Sequence, residues 1–268
     1  MVARRGSDKV LRPVHPNVGL EVAYRKRLHK LIEELHGSTL YWVKASYRAN
    51  PPIMAQDISI PASMLTRTIK ALRKRWLKKF DETALKLGDY FAKAVSKRTD
   101  AQLKKILKEG GMSVEFSLTP AQRDVLTASI NENVSLIKTI PRQYLNDVEG
   151  IVMRSVQAGH DLGFVADEIQ KRYHLTRKRA TLIARDQSAK ITGQLTRARQ
   201  IEVGITKAKW LHSHAGKVPR PTHVAMHGEE YDVVVGMYDP DKRVQRNIFP
   251  GELINCRCVS KSIVKGFS

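Results

Sequence analysis

Leu65, Ile69, Leu72, Trp76, Phe80, Ala84, Leu87, Phe91 and Ala94 follow one another at steps of three or four residues. Only a helix brings such a series onto one side, and here the core-facing stripe runs for about eight turns. The remaining faces carry Arg67, Lys70, Arg73, Lys74, Arg75, Lys78, Lys79, Lys86 and Lys93. Two readings of that basic surface stand together: a solvated face, or contact with a polyanion or another partner through Arg67, Lys70, Arg73, Lys74 and Lys78.

Other segments have the same character. Leu28, Ile32 and Leu35 give a helical spacing within residues 20–49, which Asn50-Pro51-Pro52 ends. Thr99-Asp100-Ala101-Gln102 has the form of a capping box and predicts a fresh helix, stopped at Gly110-Gly111. Thr119-Pro120 predicts another start, with the helix running to about Thr139 and ending at Pro141. A further helix is expected from Arg142 to Ala158, a short one through Tyr173, and a last one from Arg177 to Val203, capped by His174-Leu175-Thr176. Residues 1–18 contain Arg4, Arg5, Lys9 and Arg12 with two prolines, and read as an extended basic arm that is disordered unless a partner orders it.

After Gly204 the period changes to that of strands. Lys207–His214, Glu230–Val235 and Cys256–Val264 are strand candidates, separated by Gly228, Gly236, Asp239-Pro240 and Pro250-Gly251. The expected fold class is therefore mainly α with a small C-terminal α+β module: long helices followed by a short antiparallel β unit. The expected organisation is a basic arm (1–18), a helical N-terminal region (19–111), a helical middle domain (112–204) and a His/Cys-rich module (205–268).

A chain of 268 residues can bury a core without disulfide staples. Its two cysteines, one residue apart, form no disulfide framework and suit a reducing compartment. The start lacks the apolar core of a secretory signal, and no run approaches the roughly 18 apolar residues of a membrane span. The formal net charge of +21 calls for a polyanion or an acidic partner to offset self-repulsion.

Chemistry concentrates in the last sixty or so residues, which hold both cysteines and His212, His214, His223 and His227. On a strand, His212 and His214 would project from one face, and Cys256 and Cys258 from one face of a later strand. Two thiolates and two imidazoles suit tetrahedral zinc, with Cys256, Cys258, His223 and His212 or His214 as the candidate ligands. Equally, the cysteines could be small buried hydrophobes and the histidines bonded to backbone carbonyls. A metal-dependent nuclease is the enzymatic alternative, since histidines with Asn255 resemble the set that activates water in His-Asn-His enzymes. Against it, Glu229 and Glu230 have no distinctive spacing, and Asn255 is better placed to fix a turn through its side chain. No phosphate-cradling loop, nucleophile elbow or HExxH motif occurs, so no catalytic residue and no cofactor other than zinc is expected. Arg220 and Arg257 read as ion-pair partners or partner contacts.

Five motifs arrive in one order: Ala180-Thr-Leu-Ile-Ala-Arg-Asp-Gln, Trp210-Leu-His-Ser-His-Ala-Gly-Lys, Pro219-Arg-Pro-Thr-His-Val-Ala-Met-His-Gly, Gly236-Met-Tyr-Asp-Pro-Asp and Pro250-Gly-Glu-Leu-Ile-Asn-Cys-Arg-Cys. Together they resemble the phage Mu F-like family of minor head proteins, also called the phage head morphogenesis family, over about residues 110–265. The chain departs from much of that family at Asp186-Gln187, where a Thr-Glu pair is usual. The resemblance implies a non-enzymatic minor capsid protein of a tailed bacteriophage. Such a protein is made in the host cytoplasm and lodged in the virion head near the portal vertex, where it acts in procapsid assembly or in genome packaging and delivery. The implied partners are the portal protein and the major capsid or scaffolding protein, without a membrane. Packaged double-stranded DNA is a further partner that the basic helices could meet without base readout.

Overall fold

The computed structural model describes residues 8–49, 59–158, 161–214, 216 and 218–265. Arg4 and Arg5 of the basic arm and the Asn50-Pro51-Pro52 break lie outside these residues. Among them are five helices: α1 (Val18–Ala49), α2 (Ser59–Glu109), α3 (Pro120–Gln157), α4 (Leu162–Glu202) and the short α5 (Pro221–Ala225). The strands are β1 (Lys9–Val10), β2 (Lys207–Leu211), β3 (Glu230–Asp232), β4 (Met237–Asp239), β5 (Arg246–Ile248) and β6 (Val259–Val264). The mainly helical class with a short antiparallel C-terminal sheet is therefore what the chain adopts.

The helices are fewer and longer than their local signals predict. α2 continues through the Thr99 capping pattern because Thr99 is buried on the same side as Val95, Leu103 and Leu107, so the apolar stripe simply extends. α3 continues through Pro141. In the turn before it, Thr139 Oγ1 donates to the Leu136 carbonyl at 2.6 Å and accepts from Arg179 Nη2 at 2.7 Å, so a side chain takes up a carbonyl near the break. In α4 the Thr176 hydroxyl bonds back to the Arg172 carbonyl at 2.8 Å instead of capping a new helix. The Thr119-Pro120 start is as expected: Thr119 Oγ1 accepts from Gln122 N, and Gln122 Oε1 accepts from Thr119 N, both at 3.3 Å.

The chain forms two compact units that interleave in sequence. One comprises residues 22–88 and 132–183, and it is helical. Leu28, Ile32, Leu35, Leu65, Ile69, Phe80, Ile137, Leu145 and Val148 are among its buried side chains. Polar contacts are built into this core. Tyr24 Oη donates to Asn133 Oδ1 at 2.5 Å. His36 Nδ1 meets Tyr144 Oη at 2.9 Å, and its Nε2 meets Gln170 Oε1 at 3.0 Å.

The other unit comprises residues 1–21, 89–131 and 184–268 and contains the sheet. Four strands lie in the order β1-β6-β2-β3, all antiparallel to their neighbours, with β4 and β5 as a separate pair. β2 alternates as a half-buried strand should: Ala208 and Trp210 face the core, while Lys207 and Lys209 sit opposite Asp232 and Glu230. Beneath the sheet, Leu11, Val14, Leu103, Leu107, Trp210, Tyr231, Val233 and Ile248 share one core. Residues 9–14 therefore differ from the disordered arm expected of them. Lys9 and Val10 pair with Val264 and Ile263, and Leu11 N donates to Ser262 O at 2.8 Å. Arg199 of α4 organises the helical side of this unit, holding Asp100 through two 2.7 Å bonds and Glu202 through one of 2.8 Å.

Candidate functional site

The strand registers place the site at one end of β2 and just before β6. Cys256 and Cys258 precede β6 rather than lying on it, and His212 and His214 follow β2. Facing edges of two strands, the arrangement expected from the alternate spacing, is therefore not how these residues meet. The convergence comes from turns. His214 and Asn255 both adopt left-handed backbone conformations, with φ of 51° and 59°, and Asn tolerates this conformation better than most residues. Asn255 turns the chain through its backbone: its N–H donates to Asp186 Oδ1 at 2.6 Å. Asp186 is itself buried in α4, with Lys190 Nζ 3.4 Å from its other oxygen. Asp186 thus anchors the loop that presents the cysteines.

His223 lies on α5, which starts at Pro221 and so begins with a residue already fixed in helical φ. Its Nδ1 is 3.5 Å from Cys256 Sγ and 3.6 Å from Cys258 Sγ. On the opposite edge of the ring, Nε2 lies 3.4 Å from Asp239 Oδ2. Trp210 closes a flank, its ring edge-on to His223 with centroids 5.3 Å apart. All of these side chains are buried, His223 at 2% exposure and Asp239 at 0%. The Cys258 thiol donates to Cys256 and holds its pKa below the usual thiol range, with His223 acting in the same direction against the effect of burial. Cys258 is pushed up, first by that same neighbour and then by burial.

His223, Cys256 and Cys258 are the one group among the described residues that could hold a metal ion, their ligand atoms all lying within 4.8 Å of one another. His212 stands outside this triplet on the wall of a cavity of about 260 Å³, which the triplet itself, Ser213, Arg220, Asn255 and Arg257 also line. His212 Nδ1 accepts from His214 N at 3.2 Å, and His212 N donates to His227 Nδ1 at 3.1 Å. Burial lowers the His212 pKa, and the nearby His214 and His223 lower it further. The histidines thus divide: His223 joins the thiols, while His212, His214 and His227 form a chain of rings beside them. Arg220 donates to the Ile254 carbonyl at 2.9 Å, which braces the same loop.

Sequence patterning does not single out Asp239 or Asp186 as site residues. Asp239 sits in the Gly236-Met-Tyr-Asp-Pro-Asp motif, where Asp-Pro reads as a turn. Only the fold brings it to His223.

The basic candidates lie elsewhere. Arg67, Lys70, Lys74 and Lys78 are exposed and fall within a sector of about 80° on α2. Arg73 points away from that stripe to Asn146 and Glu149, each at 2.5 Å. Trp42, Arg67, Thr68, Ala71, Leu72 and Arg75 line a shallow pocket at one edge of it. Among the described residues no helix is long and apolar enough to cross a membrane.

Comparison with known proteins agrees with the motif order. No solved structure matches the chain. A protein of Haemophilus influenzae described as uncharacterized is 30% identical over 264 residues, covering 96% of this chain. The chain spans 56% of that relative's length. Residues 146–261 match the family described as Phage Mu protein F like protein, a stretch that takes in the end of α3, all of α4 and the sheet module up to the middle of β6. Over that segment, which holds Asp186, His223, Asp239 and both cysteines, the chain is similar to the phage Mu F-like family.

Proposed function

We propose that the protein is a minor head protein of a tailed bacteriophage, seated at the portal vertex and acting without turnover in procapsid assembly or in genome packaging and delivery. The observation that carries this reading is the family match across residues 146–261. Its partners are the portal protein and the major capsid or scaffolding protein. The net charge of +21 and the exposed Arg67, Lys70, Lys74 and Lys78 stripe favour a second interaction, with the phosphates of packaged duplex DNA.

The head role is tested by labelling the chain and isolating heads from the phage that encodes it. The chain is expected to co-sediment with procapsids and mature heads, and imaging is expected to place it at the portal vertex. Heads that form, package and infect normally without the chain would refute the role. For DNA binding, log affinity should fall linearly with log salt. Each stripe residue that neutralises a phosphate should, when replaced by Gln, make that slope shallower by about 0.9. A slope unchanged when all four are replaced would remove α2 from the interface.

A further inference from the structure

We propose that His223, Cys256 and Cys258 bind a zinc ion through Nδ1 and two thiolates, with Asp239 orienting the histidine and the fourth position open to the neighbouring cavity. The proposal is independent of the role in the phage head.

The distances carry it first. With zinc–nitrogen and zinc–sulfur bonds of about 2.05 and 2.3 Å, a tetrahedral site has a nitrogen–sulfur edge of about 3.6 Å. The two observed separations are 3.5 and 3.6 Å, and both run to the same nitrogen. An imidazole nitrogen has one lone pair and accepts one good hydrogen bond. Two sulfurs at equal distance from it are arranged for a shared ion rather than for a single S–H bond. Soft thiolates with one imidazole also select zinc over magnesium or calcium.

The far side of the ring is the independent observation. His223 Nε2 and Asp239 Oδ2 are fully buried, 3.4 Å apart, and neither has a hydrogen-bond partner. A histidine that gives Nδ1 to a metal keeps its proton on Nε2. That proton then lies on the ring edge nearest the carboxylate, which is placed to fix the tautomer of a metal-bound histidine. A divalent cation also offsets the negative charge of two thiolates and a carboxylate among buried side chains.

The same order of atoms, thiol to Nδ1 and carboxylate to Nε2, would serve a cysteine nucleophile. The second thiol sets the two readings apart. A nucleophile needs one thiol at the imidazole, whereas two thiols at equal distance from Nδ1 suit an ion. His212 shares the cavity wall with the triplet but lies outside the ligand group, so the fourth position faces the cavity and takes water.

The test uses the full chain purified without chelator. One zinc per chain is expected by elemental analysis. Replacement of zinc by cobalt(II) should give the intense visible bands of a tetrahedral site and a thiolate charge-transfer band, a readout that requires no variant to fold. Cys256→Ser, Cys258→Ser and His223→Ala should each lose the ion. Asp239→Asn should keep it with affinity reduced by about 10- to 100-fold, and His212→Ala should keep it at full stoichiometry. A metal-free chain that gives no cobalt spectrum overturns the proposal, as does full zinc in the Cys256→Ser/Cys258→Ser double variant. Rapid alkylation of one thiol in a metal-free chain would replace the zinc site with the nucleophile. Loss of the ion in His212→Ala would overturn the open fourth position.

Discussion

Replacing Gly193 by alanine tests how tightly α4 is fitted to the loop that carries the cysteines. In an exposed helix interior, Gly→Ala stabilises by about 1 kcal/mol. At Gly193 an added Cβ would lie 2.6 Å from the Pro250 carbonyl oxygen, so helix and loop must part by several tenths of an ångström. Overpacking that requires a backbone shift costs about 1–3 kcal/mol. The propensity gain offsets part of this, and Gly193→Ala should be destabilising by about 1 kcal/mol, within a range of about 0–2. Gly37 of α1 supplies the control, because a Cβ there would meet nothing within 4 Å. Gly37→Ala should gain the full propensity term of about 1 kcal/mol. Thermal unfolding of both variants beside the parent measures the contrast. At about 2–4 °C per kcal/mol for a chain approaching this size, the two midpoints should move in opposite directions and separate by roughly 4–8 °C. Amide exchange around Asn255 should also quicken in Gly193→Ala alone. If Gly193→Ala raised the midpoint as much as Gly37→Ala, the close approach of α4 to Pro250 would be refuted.

Three further outcomes follow from the structure. Arg199→Met should destabilise by about 3–5 kcal/mol in urea unfolding, because Asp100 and Glu202 would be left partly buried without their cation; a loss below about 1 kcal/mol would contradict that network. Burial holds the His36 pKa below its usual 6.5, so the unfolded chain takes up protons that the folded one does not. The stability this contributes is present above about pH 6.5 and is lost as the pH falls through the lower folded value. His36→Leu should flatten that dependence while lowering stability at pH 8, where Tyr144 and Gln170 lose their partner; an unchanged pH profile would remove His36 from it. Asp186→Ala should leave the helices intact by circular dichroism but speed amide exchange at Asn255, whose N–H loses its acceptor; unaltered exchange would show that the loop is held by other means.

The helical class is legible because a stripe such as Leu65 to Phe91 admits one periodicity. The divisions between helices are not. Thr99 and Thr176 carry hydroxyls that can cap a new helix or sit within an old one, and their surroundings decide which. Pro141 removes one donor, yet α3 is long enough to continue across it. Alternation in the sequence finds β2, β3 and β6 but with generous lengths, and it misses β1, β4 and β5. Two residues, Lys9 and Val10, have too little pattern to register as a strand among arginines and prolines. At the site, the chemistry of histidine and cysteine singles out His223, Cys256 and Cys258. Asp186 and Asp239 stay hidden, because an aspartate in a helix or before a proline reads as surface or turn until the fold buries it.

The pairing of Lys9 with Val264 sets an order on the making of the sheet. During translation the first strand emerges early and must wait for the last. At about 5–20 residues per second, that interval is on the order of tens of seconds. Helices, whose contacts are local, can form within this time, while the four-stranded sheet closes only after β6 is released. The core beneath the sheet, and with it the seat of His223 and the cysteines, is therefore completed only once β6 has joined β1 and β2.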